Sequence, residues 1–155
     1  MATDTKALDP ALYLADEVAW LDAMSRLAAE RRLDELDCEH LAEYLADMAR
    51  RDRREVKHRL VQLLTHLLKW QHQPRRRSWR VSIMKQRWEL SDVFRTSRTL
   101  ELHALEIFAD AYRIARRAAA AETGLPLATF PPEWPGTLDD ALTRAEPADD
   151  ESPAG

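Results

Sequence analysis

From Cys38 to Trp70 the apolar residues keep a single helical phase. Leu41, Leu45, Met48, Val56, Leu60, Leu63, Leu67 and Trp70 follow one another at steps of three or four, with Asp52 in the one seam position left polar. That spacing is the signature of one apolar helical face. Neither Gly nor Pro interrupts the run, so it predicts one helix of about 33 residues, roughly 50 Å long at 1.5 Å per residue. The alternative is a break near Asp52, whose spacing to Glu55 has the form of a capping box. A stripe this long cannot stay exposed, because helices draw most of their stability from packing such a face. The expected fold is therefore all-α, a small antiparallel bundle of four to five helices.

The rest of the chain supplies the other helices. Asp9 and Pro10 predict a first start, a capping carboxylate followed by a proline suited to the first helical position. Leu14, Val18, Leu21, Met24 and Leu27 would form its stripe, with Trp20 beside it, and Arg31 or Arg32 its end. Asp37 is the expected cap of the long helix, and Pro74 its stop. Ser78 would open a helix running to about Phe94, with Val81, Met84 and Trp88 as well as Ile83, Leu90 and Phe94 as apolar positions. After the turn and cap chemistry of Thr96–Thr99, a helix over about 100–122 carries Leu105, Phe108, Tyr112, Ala115 and Ala119, with Leu102 and Ile107 alongside. Gly124 should end it in a left-handed cap. Residues 125–135 hold several prolines but also Leu127, Phe130 and Trp134, which predicts an ordered C-terminal Pro-rich strap over the bundle. Thr137 to Arg144 reads as a short terminal helix. The domain plan is thus a flexible N-terminus over 1–8, one helical domain over 9–145, and a disordered acidic tail over 146–155, poor in large apolar residues.

Charge is segregated. Residues 1–49 carry 4 basic and 12 acidic side chains, residues 50–87 carry 13 basic against 2 acidic, and residues 88–155 carry 6 basic and 13 acidic, so a chain of net charge −4 has a strongly cationic middle. Within that middle, Lys69, Trp70, Gln71, Arg75, Arg76, Arg77, Trp79 and Arg80 surround the helix end and the turn after it. Arginines that hold phosphates beside stacking aromatics would make an anion or nucleic-acid site. The competing reading, which we favour, is that the basic helix is neutralised by the acidic thirds or by a partner protein.

Dedicated chemistry is sparse. His40 with Glu43, and Glu55 with His58, share the spacing used by di-metal helical bundles, but a solvated helix surface accounts for both, and no metal or cofactor is expected. His66 lies between Leu63/Leu64 and Leu67/Leu68 and should be a partly buried, hydrogen-bonded histidine; a role in binding or acid–base work is the alternative. The lone cysteine, Cys38, sits in a first helical turn where the dipole favours thiolate, yet Asp37 and Glu39 oppose it. The glycine-rich phosphate loop, nucleophile elbow and zinc-protease pair are missing from the sequence. An apolar stretch of the ~20 residues needed to span a bilayer is also missing, as is a basic segment leading into an apolar leader, so a cytoplasmic protein is expected.

The strings L-D-E-L-D-x-E-H-L-A-E (33–43), H-L-L-K-W-Q-H-Q-P (66–74), R-R-S-W-R (76–80) and E-T-G-L-P-L-A-T-F-P (122–131) resemble the bacterial domain-of-unknown-function family 29. The resemblance covers about Leu12 to Leu142. It implies a small helical bacterial protein and brings no established activity, substrate or catalytic residue. The positions it would carry over are His66, Lys69, Trp70, Gln71, Arg76 and Trp79. Two departures stand out: a shorter arginine turn, and Trp134 where a cysteine is common. The favoured function is a non-enzymatic helical interaction or regulatory module, working as a homodimer or with another protein. An anion or nucleic-acid binder comes second, and a metal- or histidine-dependent enzyme well behind.

Overall fold

The computed structural model describes residues 8–73 and 76–144. Expectations placed on residues 1–7, on Pro74 and Arg75, and on residues 145–155 fall outside the described residues. Among the described residues six helices run in the order α1 (Leu12–Ala15), α2 (Glu17–Ala29), α3 (Cys38–His72), α4 (Arg77–Thr96), α5 (Arg98–Thr123) and α6 (Leu138–Thr143), with short 3-10 turns at Leu33–Glu35 and Leu127–Thr129. The described residues contain no strand. None of their helices is long and apolar enough to cross a membrane. The long helix is continuous through Asp52, at 35 residues. Contacts divide the chain into two units, residues 1–50 and 51–155, and α3 contributes to each.

In the N-terminal unit the expected single first helix is two. Asp16 adopts extended backbone (φ −152°, ψ 92°) and its carboxylate accepts the Ala19 amide as the cap of α2. Aspartate competes for backbone donors at a helix start better than it tolerates a helix interior, so the chain restarts there. The restart overturns the first part of the predicted stripe, leaving Leu14 and Val18 exposed; its later residues hold, with Met24 and Leu27 buried beside a fully buried Trp20 and Leu21 packed against them. Helix α2 stops at Ala29, before the expected arginines, and Arg31 turns the chain with a positive φ of 56°. Leu41 and Tyr44 of α3 pack on the Trp20 cluster. Leu45 and Met48, predicted seam residues, are exposed.

In the C-terminal unit α3 pairs through Lys57 with Asp110 and through Lys69 with Glu122, the same interval along both helices, so α3 and α5 run parallel. Contacts of Gln62 with Gln86 and of Lys69 with Trp79 set α4 antiparallel to α3. Val56, Leu60, Leu63, Leu64, Leu67, Leu68 and Trp70 from α3 meet Ile83 and Leu90 from α4 and Ala104, Ala111, Tyr112, Ala115 and Ala119 from α5. Packing settles the two stripes left open on α4 and changes the predicted face of α5. Helix α4 begins at Arg77 after Arg76, without a side-chain cap, rather than at Ser78. It buries Ile83, Gln86 and Leu90 and leaves Val81, Met84 and Trp88 outside. Helix α5 turns Leu102 and Leu105 outward and buries Ala104 and Ala111 instead; small side chains permit close helix approach.

The end of the unit matches its local chemistry. Ser97 caps α5 by accepting the Leu100 amide, and Gly124 closes it in the left-handed region at φ 73°. The strap lies on α5: Phe130 is fully buried, Tyr112 Oη donates to the Pro131 carbonyl at 2.7 Å, and Arg116 Nε donates to the Phe130 carbonyl at 3.0 Å. Leu127 of the strap is exposed. Thr137 and Asp140 form a reciprocal capping box that starts α6.

Candidate functional site

Antiparallel packing of α3 on α4 gathers most of the predicted corner. Lys69 is only 8% exposed. Its Nζ lies 2.6 Å from Glu122 Oε2 on α5 and 4.6 Å from the centre of the Trp79 ring. Gln73 Nε2 donates to the Thr123 carbonyl at 3.1 Å and ties the ends of α3 and α5 together. Trp70 is buried in the core. Arg76 reaches the other ring contact, its Cζ 5.8 Å from the Trp79 ring centre. His66 is half-buried, and its Nδ1 is enclosed without a hydrogen-bond partner. Burial lowers its pKa, and the nearby Lys69 charge adds to that, with Glu122 acting the other way. The corner thus joins His66, Lys69, Trp70, Trp79 and Arg76. Gln71, Arg77 and Arg80 are exposed, and Arg75 lies outside the described residues.

Its chemistry is that of a locked joint. The lysine amine is already engaged by a carboxylate and by an aromatic face. The same holds along the basic helix, where Arg50 pairs with Asp47, Lys57 with Asp110, and Arg59 with Glu55 and Glu89. Arg51, Arg54 and Arg77 remain exposed.

Two features were legible in the sequence only in part. In the N-terminal unit, Asp37 does more than cap α3. Its Oδ1 accepts the His40 amide at 3.3 Å, while Oδ2 accepts the Trp20 indole N–H at 3.1 Å and contacts His40 Nδ1 at 2.7 Å. Tyr13 stacks on the His40 ring with centroids 4.3 Å apart. Burial would raise the Asp37 pKa, but these hydrogen bonds prevail and hold it below the usual carboxylate range. The cluster borders a cleft of about 480 Å³ that Arg26, Arg32, Glu35 and Glu39 also line. The spacing of Asp37 and His40 was visible in the sequence; the indole that completes the arrangement, brought in by α2, was not.

The second feature is the outer side of α4. Val81, Met84 and Trp88 are 59%, 57% and 66% exposed, and they recur at i, i+3 and i+7, one helical face. That face lies across the helix from Ile83, Gln86 and Leu90. Both stripes were legible as apolar spacing, but only packing decides which one turns inward.

No group of three or more histidine, cysteine or acidic side chains suited to a metal occurs among the described residues. Neither the curated proteins nor the solved structures contain a match to this chain. The family model described as Domain of unknown function DUF29 matches residues 12–145, and the chain belongs to that family.

Proposed function

We propose that this protein is a non-enzymatic interaction module that presents the outer face of α4 to another protein. The observation carrying this reading is the Val81–Met84–Trp88 stripe, three large apolar side chains more than half exposed on one side of a helix whose opposite side already fills the core. Single exposed apolar residues are ordinary; a clustered stripe with a tryptophan is the kind of surface that marks interfaces and their energetic centres. The rigid α3–α4–α5 packing beneath it would hold those side chains in place without ordering on contact, which lowers the cost of association.

The test is site-specific photo-crosslinking in the native cell. A photoreactive residue at position 88 or 84 should give a discrete adduct with another protein chain, and the same residue at Arg117, exposed on α5, should not. Adducts that are absent at 84 and 88, or equally strong at 117, would remove α4 as the presented face.

A further inference from the structure

The charges around the α4 stripe identify what fits it. Arg77, Lys85 and Arg95 are all exposed, and their spacing from Val81, Met84 and Trp88 puts them on the same side of the helix. The acid on that side, Asp92, is paired with Arg95. Arg77 and Lys85 have no ionic partner among the described residues. The face is therefore an apolar strip framed by surplus positive charge.

We infer that α4 docks an acidic amphipathic helix of another protein, with apolar residues at i, i+3 or i+4, and i+7 flanked by Asp and Glu. The inference rests on the reading of α4 as the presented face and adds the chemistry of the occupant. Helices commonly recognise helices through such anchors, and opposite charges set partner choice and encounter rate. A second copy of this chain seated face to face would bring the same cationic surplus against itself, a like-charge contact that opposes pairing. An anionic lipid surface satisfies the charge but not the apolar extent, because interfacial helices bind in proportion to buried apolar area and this strip covers only two turns. Nucleic acid would use the arginines and stack on Trp88, leaving Val81 and Met84 unexplained.

The experiment uses the full chain and labelled peptides of about 18 residues, a length that spans Arg77 to Arg95 at 1.5 Å per residue. One peptide carries Leu anchors flanked by Glu; a second keeps the anchors and replaces Glu with Lys. Fluorescence anisotropy should show binding of the acidic peptide alone, weakened by added salt. Trp88→Ala should reduce affinity at least tenfold, and Arg77→Glu with Lys85→Glu about tenfold with loss of the salt dependence. Circular dichroism and thermal melting of each variant confirm that the fold persists. Equal binding of both peptides overturns the acidic-helix inference but leaves α4 as a docking face. Self-association by sedimentation that Trp88→Ala abolishes names a second copy as the occupant and also overturns it. Binding of single-stranded DNA or phosphatidylglycerol vesicles that depends on Trp88 assigns the face to those ligands and overturns both readings. Failure of either peptide to bind, with crosslinks at 84 and 88 intact, rejects the acidic helix alone.

Discussion

Replacing Asp37 tests whether one carboxylate joins α2 to α3 in the N-terminal unit. One of its oxygens caps α3, and the other accepts the indole N–H of Trp20, a side chain fully removed from water. Asp37→Ala removes the cap, which costs about 1 kcal/mol, and strands the buried indole donor, which costs about 1–3 kcal/mol. The expected total of about 2–4 kcal/mol is a large part of the 5–15 kcal/mol typical of a domain. Asp37→Asn should fall between, because one amide oxygen serves the cap or the indole but not both. Trp20→Phe removes the donor itself, so the double variant should be less destabilised than the sum of the singles. The assay is native-state hydrogen exchange of the α2 amides from Trp20 to Leu27 in all four proteins of the cycle. A coupling of about 1–3 kcal/mol is expected, as for directly bonded neighbours; a coupling near zero refutes the clamp.

The same carboxylate predicts a pH dependence. Its pKa is lower in the folded protein than in the unfolded chain, so its contribution is fully present above the unfolded value near pH 3.9. It is lost as pH falls through the folded value, and Asp37→Ala should flatten the acid limb of the stability curve. His66 follows the same sign in a higher window. Its folded pKa is depressed, so its contribution is present above about pH 6.5 and declines as pH drops, when the unfolded chain takes up the proton first; His66→Gln should reduce the loss of stability between pH 7 and 5 in urea titrations. At the joint, Glu122→Ala should destabilise by about 1–3 kcal/mol, between exposed and buried pairs, because Lys69 is buried while Glu122 is half exposed. Adding Lys69→Met should recover most of that loss in thermal unfolding, and a double variant no better than Glu122→Ala would show that the pair is not the source.

What could be read in the sequence was what local chemistry decides. The continuity of α3 followed from an apolar phase free of Gly and Pro. The positive φ at Gly124 and the Thr137–Asp140 box followed from residue types with few other uses. Asp16 was missed because two signals conflicted there, an apolar phase that runs on and a side chain that prefers to cap; the cap prevailed. The rotation of α4 was open because both of its stripes have helical spacing. Part of what turns Ile83 and Leu90 inward is polar: buried Gln86 bonds Gln62 at 2.8 Å and Arg59 at 3.3 Å, partners supplied by α3. The basic segment was legible as charge, yet the pairing of part of it depends on Lys57–Asp110 and Lys69–Glu122, pairs that meet only after the bundle has formed.

Magnitudes also bear on what kind of partner α4 can hold. Fully burying one large apolar side chain contributes about 1.5–3 kcal/mol, and Val81, Met84 and Trp88 have somewhat more than half of their surface left to bury. The strip therefore offers roughly 3–5 kcal/mol before any costs. Association itself costs an estimated 4–15 kcal/mol in lost freedom, so these three side chains alone cannot hold a complex together. The partner's own apolar anchors must supply a comparable burial, and Arg77 and Lys85, placed where an acidic partner would meet them, add a smaller contribution that falls with salt. A complex balanced in this way is salt-sensitive and readily reversed, which suits a regulatory contact better than a permanent subunit interface.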